Sequence, residues 1–360
     1  MIKLFRLLLL PVSLVYSIVM RIRNILFDKE FFHSESFPFP VITIGNLVVG
    51  GTGKTPMTEY LIKLLKDDFK IATLSRGYGR RTKGFVIASP HVKSLLVGDE
   101  PKQYKQKFPD VTVAVCEKRA VGIRALIQNY HLQLILLDDA YQHRSVRAGM
   151  NILLIEYAAV YTIDFMLPAG NLREPKSGKK RADIIVISKC KKDITEDERV
   201  KIKAYLRLDE HQTLYFSYIQ YGDIMMYDLD ATATPRDSVM LDLSTYHILL
   251  ITGIAKPMVL LNHLKTICPA IDELFFPDHH NFSGKDVIKI AKNFNNIPNA
   301  KKVILTTEKD LMRFTDMPRE LLGMMTPIYY VPITTVFIPD DETLFNDQIV
   351  TYVRNNTTNS

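Results

Sequence analysis

The sequence predicts an α/β protein built on a mostly parallel sheet with helices on both faces, and three observations carry that prediction. The apolar, β-branched segment Pro40-Val41-Ile42-Thr43-Ile44-Gly45 reads as a buried strand. It runs into a glycine-rich loop, Val48-Val49-Gly50-Gly51-Thr52-Gly53-Lys54-Thr55, after which Met57, Tyr60, Leu61, Leu64 and Leu65 fall at helical spacing. Strand-like runs then recur between helical patterns, at 41–44, 70–74, 111–115, 134–137, 151–155 and 184–187, with 84–87 part of a smaller strand pair beside them. A second, smaller α/β domain follows, and an amphipathic helix precedes the whole.

The N-terminal helix is expected over residues 1–27. Leu4, Leu7, Leu8, Pro11, Leu14, Val15, Ile18, Val19, Ile22, Ile25 and Leu26 recur at i, i+3, i+4, while Arg6, Ser13, Ser17, Arg21 and Asn24 lie mostly opposite. The uncharged run 7–20 is shorter than the ~20 residues a spanning helix needs. A helix lying in a membrane interface, apolar face down, is the expectation; a helix packed on the core is the alternative. No small-residue cleavage site follows before Arg21, which argues against a signal peptide. Pro11 kinks this helix or sets its start.

The core is expected over residues 28–222. Its loop follows G-x-x-x-x-G-K-[ST], except that Val48 occupies the first glycine position. Between a strand and a helix N-terminus, such a loop surrounds phosphate with backbone N–H groups, so the core reads as P-loop NTPase-like. Val49, Gly50, Gly51, Thr52, Gly53, Lys54, Thr55 and Pro56 form the candidate ATP site. Lys54 reaches the β- and γ-phosphates, and the Thr55 hydroxyl ligates Mg²⁺. The run Leu134-Ile135-Leu136-Leu137 ends in Asp138-Asp139, the acid such a site needs for metal. Adjacent strand residues point to opposite faces, so at least one of the two aims at the metal. Gln142 and His143 continue the same segment. Ser75-Arg76-Gly77-Tyr78-Gly79 offers forked donors on a tight backbone, and the loop 167–175 carries Arg173 and Glu174.

Residues 223–246 read as a connection, 247–350 as the smaller domain and 351–360 as a frayed polar tail. In the smaller domain 247–252, 273–276 and 302–306 read as strands, and 257–266, 283–294 and 308–314 as helices. Asp278-His279-His280 puts histidine beside an acid, across a cleft from the core. A base there is what phosphoryl transfer to a hydroxyl needs. The formal charge of +7 suits an anionic partner without choosing among nucleotide, nucleic acid and lipid. Cys116, Cys190 and Cys268 are too few and scattered for a disulfide framework or a cysteine metal site, which fits a reducing compartment.

Taken in order, these segments resemble the tetraacyldisaccharide 4′-kinase family. They are Gly45-Asn46 through Val49-Gly50-Gly51-Thr52-Gly53-Lys54-Thr55-Pro56, Ser75-Arg76-Gly77-Tyr78-Gly79, Gly98-Asp99-Glu100-Pro101 and Asp138-Asp139-x-x-Gln142-His143. Leu167-Pro168-Ala169-Gly170-x-Leu172-Arg173-Glu174-Pro175, Asp278-His279 and Thr306-Thr307-Glu308-Lys309-Asp310 complete the set. The displaced glycine agrees with that family's V-G-G-x-G-K-T loop. Two departures are Ala140-Tyr141, where the family has Gly-Phe, and Asn171, where it often has Pro.

The resemblance implies ATP and Mg²⁺, and transfer of the γ-phosphate to the 4′-hydroxyl of a tetraacyldisaccharide 1-phosphate in lipid A biosynthesis. It implies work at the cytoplasmic face of the bacterial inner membrane; no nucleic acid is expected, and the oligomeric state stays open, with a monomer the simplest expectation. Catalysis is expected from Lys54, Asp99 and His279, with Asp99 taking the hydroxyl proton and His279 raising its basicity. Thr55, Asp138 and Asp139 hold the metal. Arg76, Tyr78, Arg119, Gln142, His143, Arg173 and Glu174 are candidates for phosphate or substrate. Other classes compatible with a P-loop are a regulatory NTPase and a nucleotide-binding scaffold without turnover. Ser188-Lys189-x-x-x-Asp193 resembles a switch protein's base-recognition loop, but with the wrong spacing for guanine.

Overall fold

The computed structural model describes residues 6–227 and 242–357. Most of the expected connection (228–241), the start of the N-terminal helix (1–5) and the end of the tail (358–360) lie outside the described residues. The chain divides into two compact units, 1–90 with 104–220 and 334–360, and 91–103 with 221–333.

In the first unit, buried β-branched and leucine-rich segments form the middle of a nine-stranded sheet. Its order is Ile333–Phe337, Thr213–Tyr221, Ile184–Ser188, Met150–Glu156, Val41–Gly45, Leu134–Asp138, Ile71–Ser75, Thr112–Val115, Val86–Ile87. Val41–Gly45, Ile71–Ser75, Leu134–Asp138 and Ile184–Ser188 are buried along their whole length. That is the mark of parallel strands covered on both faces. The pair 86–87 joins this sheet antiparallel to Thr112–Val115, not a separate pair. In the helix Lys54–Leu65, Met57, Leu61, Ile62 and Leu65 face the sheet.

The helix Leu10–Asp28 packs the other way round from an ordinary core helix. Ser13 is buried, and Tyr16 and Met20 pack against the core. Tyr16 donates to the Arg173 carbonyl (2.9 Å), Arg23 to the Gln142 carbonyl (2.8 Å) and Asn24 to Glu174 (3.3 Å). Val12, Leu14, Val15, Ile18, Val19, Ile22 and Ile25 are exposed. Pro11 lies in the first turn and sets the helix start. By length and apolar composition the helix also meets what crossing a membrane requires.

The expected tail is ordered as far as residue 357, within the helix Asp341–Thr357. Asp341, Phe345, Ile349 and Val353 form a buried i, i+4 stripe on it. The Tyr352 hydroxyl donates to the Val41 carbonyl (3.2 Å), at the start of the loop-bearing strand. Polar composition alone suggested fraying; the stripe is what packs. The segment 334–350 thus belongs to the first unit, not the smaller domain.

The second unit has five strands in the order Met225–Met226, Ile328–Val331, Lys302–Thr307, His247–Thr252, Ala270–Phe275. They are parallel except the first pair. Ser283 and Asp286 form a capping box on the helix Gly284–Asn296, which buries Val287, Ile290, Ala291 and Phe294. Thr307 caps the helix Glu308–Phe314. The helix Asp99–Lys107 is divided: Asp99 belongs with this unit and Tyr104 with the first. Asp99 and His279, expected on different domains, therefore sit in the same one.

Gly45 ends the loop-bearing strand, and a Cβ there would stand 2.5 Å from the Tyr141 Cβ. Gly45→Ala is expected to cost about 1–3 kcal/mol as overpacking, measured by urea denaturation. An unchanged midpoint would mean that the Tyr141 backbone yields freely.

Candidate active site

The glycine-rich loop begins where the strand Val41–Gly45 ends. Val48 forms an antiparallel bridge with Leu172, and the Val49 N–H donates to the Asn171 carbonyl (2.8 Å). Extended backbone at Val48 needs no glycine. The left-handed conformation falls instead at Gly50 (φ 113°) and Gly53 (φ 89°). The displaced glycine of the sequence therefore marks a bridge to the 167–175 loop. Asn46 donates to the Thr52 hydroxyl (2.7 Å), and the Ser188 hydroxyl donates to the Thr52 carbonyl (2.7 Å). Lys189 donates to the Gly51 carbonyl. Ser188 and Lys189 thus brace the phosphate loop, a role the sequence reading missed when it set them beside a base-recognition loop. Their position at the end of a parallel strand near the loop strand was the available signal.

Strand pairing delivers the acids. Ile44 lies opposite Asp138, so both strands release their next residues at one edge of the sheet. Asp138 is buried; it accepts from the Tyr104 hydroxyl (3.0 Å) and the Thr58 hydroxyl (3.4 Å). Strand alternation does not extend to Asp139, whose φ of 47° turns the chain out of the strand. Alternation would hold only if the strand continued, and here it stops at Asp138. Arg173 Nη1 donates to both carboxylate oxygens of Asp139 (2.9 and 3.0 Å), which lies 3.6 Å from the Lys54 ammonium. Burial raises the Asp139 carboxyl, but Lys54 and Arg173 outweigh it and hold it below the usual range.

Around these acids the other candidates divide into supports and exposed groups. Arg119 is buried and donates to the Cys116 carbonyl (2.6 Å). Burial lowers its pKa to about 10, against the pull of Asp138 and Asp139. Its backbone N–H donates to His143 Nε2 (3.3 Å). Burial and then Arg119, Arg23 and Arg76 push the His143 ring down to about 4, so it is neutral at pH 7 and no cationic phosphate ligand. Gln142 donates to the Asn46 carbonyl (2.6 Å) and to Glu174 (2.9 Å). Fully buried Glu174 also accepts from Arg181 (2.8 and 2.9 Å). Gln142 and Glu174 tie the loop to the N-terminal helix. Arg76 and Tyr78 are exposed on the turn after Ile71–Ser75.

The two departures in the sequence have local causes. Tyr141 donates its hydroxyl to the Gly178 carbonyl (2.8 Å), beneath Arg181 at 4.7 Å, so the extra oxygen over Phe is satisfied. The Asn171 N–H donates to Asp164 (3.2 Å), a bond no proline makes.

The second unit carries its own cluster. Asp99 Oδ2 accepts from Arg313 Nε (2.8 Å) and Nη2 (2.7 Å), and lies 3.2 Å from His279 Nδ1. Buried Arg313 also grips Asp310 (2.8 Å) and the Gly253 carbonyl (3.3 Å). Lys309 lies 3.2 Å from His279 Nε2 and pairs with Glu100 at 2.7 Å. Lys102, also buried, donates to Asp316 (2.6 Å) and to the Met312 carbonyl (2.7 Å), fastening the helix that carries Asp99. His280 instead pairs with Asp286 (3.2 Å) and stacks on Phe276. Asp278 is exposed, so the acid beside His279 is Asp99, not its chain neighbour. Burial raises the Asp99 carboxyl, but His279, Arg313 and Lys309 together lower it to about 2. That is opposite to the expected gain in basicity. Arg313 and Lys309, one turn apart on a short helix, were invisible as partners from spacing alone.

Thr55 and Asp138 carry oxygen donors of the kind that could hold a Mg²⁺ ion in a P-loop protein, the rest coming from phosphate and water. No group of three or more His, Cys, Asp or Glu side chains suited to a metal occurs among the described residues.

A parallel sheet with such a loop on one strand and an acid on the next defines a P-loop nucleotide-binding enzyme. Residues 5–354 match the family described as LpxK, Tetraacyldisaccharide-1-P 4'-kinase, and the chain belongs to that family. It is 44% identical to the tetraacyldisaccharide 4'-kinase of Phocaeicola vulgatus, over 98% of this chain and 96% of that one. Its identity to the Flavobacterium johnsoniae protein of that name is also 44%, over 98% and 99%. Among solved structures, it resembles LpxK from Aquifex aeolicus in complex with ATP. The TM-score is 0.72 at 28% identity, covering 97% of this chain and 99% of that one.

The environment of His143 generates a pH prediction. Its folded pKa of about 4 lies below the ordinary 6.5, so the unfolded chain binds the proton first. Stability should fall as pH drops from 6.5 toward 4, and His143→Gln should flatten that slope. NMR titration of the ring giving an ordinary pKa would contradict the assignment.

Proposed function

We propose that this chain transfers the γ-phosphoryl group of ATP to the 4′-hydroxyl of a tetraacyldisaccharide 1-phosphate at the cytoplasmic face of the inner membrane. The supporting observation is the P-loop held beside Asp138 and Asp139 in a member of a sugar-lipid kinase family. Backbone N–H groups of Gly50 to Lys54 surround the phosphates. Lys54 leaves Asp139 for the γ-phosphoryl as charge develops there, and Arg173 keeps Asp139 in place. Thr55 and Asp138 would hold Mg²⁺, which neutralises phosphate charge when bound. Asp99, ionised across the physiological range, accepts the hydrogen bond of the sugar hydroxyl and then its proton. With so low a pKa it acts late, in a loose transition state where the bond to the leaving group is already weak. His279 orients the carboxylate, and Arg313 fixes both.

The outward apolar face of the helix Leu10–Asp28 supports an interfacial anchor. Its inner face is packed on and bonded to the fold, so the outer residues are available without cost to packing.

Lys54→Ala should lower kcat by about 10²–10³-fold with the fold intact. Near-normal turnover in steady-state assays would end the P-loop role. Asp99→Asn should lower kcat about 10²–10⁴-fold and spare KM for ATP. Loss confined to ATP binding would remove Asp99 from proton transfer. Val15→Glu with Ile22→Glu should abolish sedimentation with anionic vesicles while leaving thermal unfolding unchanged. Undiminished sedimentation would refute the anchor.

A further inference from the structure

Apolar side chains are also exposed on the first unit outside the N-terminal helix, between the strand Met150–Glu156 and the loop 167–175. Tyr161, Ile163 and Phe165 all face outward, and Ile163 is 91% exposed. Loop tips ordinarily carry small or polar residues. Here the polar groups are bonded to the loop's own backbone. The Asp164 carboxylate accepts from the Phe165 N–H (2.8 Å), the Asn171 N–H (3.2 Å) and the Asn171 side chain (3.2 Å). Lys176 donates to the Thr162 carbonyl (2.6 Å). Gly170 lets the chain close on itself, since a Cβ there would stand 2.1 Å from the Phe165 carbonyl oxygen. The Tyr161 ring meets that of Tyr205 edge-on, centroids 4.8 Å apart, and Tyr205 is itself exposed. The loop is pinned from within and presents its apolar side chains to the outside.

This loop is continuous with the outer face of the helix. A cavity of about 630 Å³ is lined by Leu10, Leu14 and Arg21 from the helix and by Phe165, Met166 and Lys176 from the loop side. Its wall is mostly apolar, and its charged members are Arg21, Lys176 and Asp164, the last of which is bonded to the loop's own backbone. Apolar side chains with Lys and Arg at their border match the boundary between acyl chains and anionic headgroups.

We propose that residues 161–165 form a second membrane-inserting element, entering the same anionic leaflet as the helix Leu10–Asp28. The inference rests on the reading of that helix as an interfacial anchor. A single helix in an interface leaves the attached unit free to roll about the helix axis. A second point of insertion removes that freedom and fixes which edge of the nine-stranded sheet faces the leaflet.

The chain contains no tryptophan, so Ile163→Trp in the full chain is a lone fluorescent reporter. On adding phosphatidylglycerol-containing vesicles, its emission should shift to the blue and be quenched by brominated acyl chains. Ile18→Trp reports the helix in the same way. Quenching at 18 without quenching at 163 would overturn the loop's insertion and leave the helix anchor standing. Quenching at neither position would overturn both. A blue-shifted, concentration-dependent emission at 163 before lipid is added would assign the loop to a second copy of the chain instead. Ile163→Glu should weaken vesicle partitioning about tenfold with unfolding temperature unchanged. Wild-type partitioning would again overturn the proposal.

Discussion

The parallel pairing of Val41–Gly45 with Leu134–Asp138 is the constraint on which the rest of the first unit depends. With Ile44 opposite Asp138, one strand ends in the glycine-rich loop and the other in the two acids, at the same edge. Gly45 must be small because Tyr141, just past those acids, lies against it. The Val48–Leu172 bridge then brings the 167–175 loop to the same place, and Arg173 meets Asp139. Phosphate loop, acids and guanidinium are one consequence of strand register, not separate placements.

Much of this arrangement was legible in the sequence, because its signals were local. Buried strands announce themselves as β-branched runs, and a glycine-rich turn between strand and helix has few structural meanings. The six strands read first in the core are all present, as are the three strands and three helices read in the smaller unit. What escaped was non-local. Thr213–Tyr221 and Ile333–Phe337 neighbour each other across more than a hundred residues of intervening chain, so neither stretch reveals the other. The helix Asp341–Thr357 was hidden under a polar composition that belongs to its solvent face. Asp99 looked like part of the core because it precedes a core strand. Its ion pair with Arg313 groups it with the second unit.

The charged groups show why residue type alone misassigns roles. His143, Gln142 and Glu174 are polar residues within a motif, yet each is spent on internal bonds. His143 receives a backbone N–H, Gln142 bridges to the loop strand, and Glu174 neutralises Arg181 in a dry setting. Asp99 is held by two cations and a histidine, which favours its ionised form strongly enough to overcome burial. Such a carboxylate is an acceptor fixed in direction, available at every pH a cell offers. In the proposed reaction its service is geometric before it is basic.

The reach of the C-terminal helix back to Val41 bears on how the protein is made. The Tyr352 hydroxyl fills the space over Gly149 and bonds the first residue of the loop-bearing strand. Until residues 334–357 have left the ribosome, the nine-stranded sheet lacks an edge strand and the helix that closes over it. The helix Leu10–Asp28, with its greasy outer face, emerges long before that. On the anchoring proposed for that helix, the nascent chain settles on a bilayer while the sheet that carries its glycine-rich loop is still incomplete, so that lipid arrives before fold.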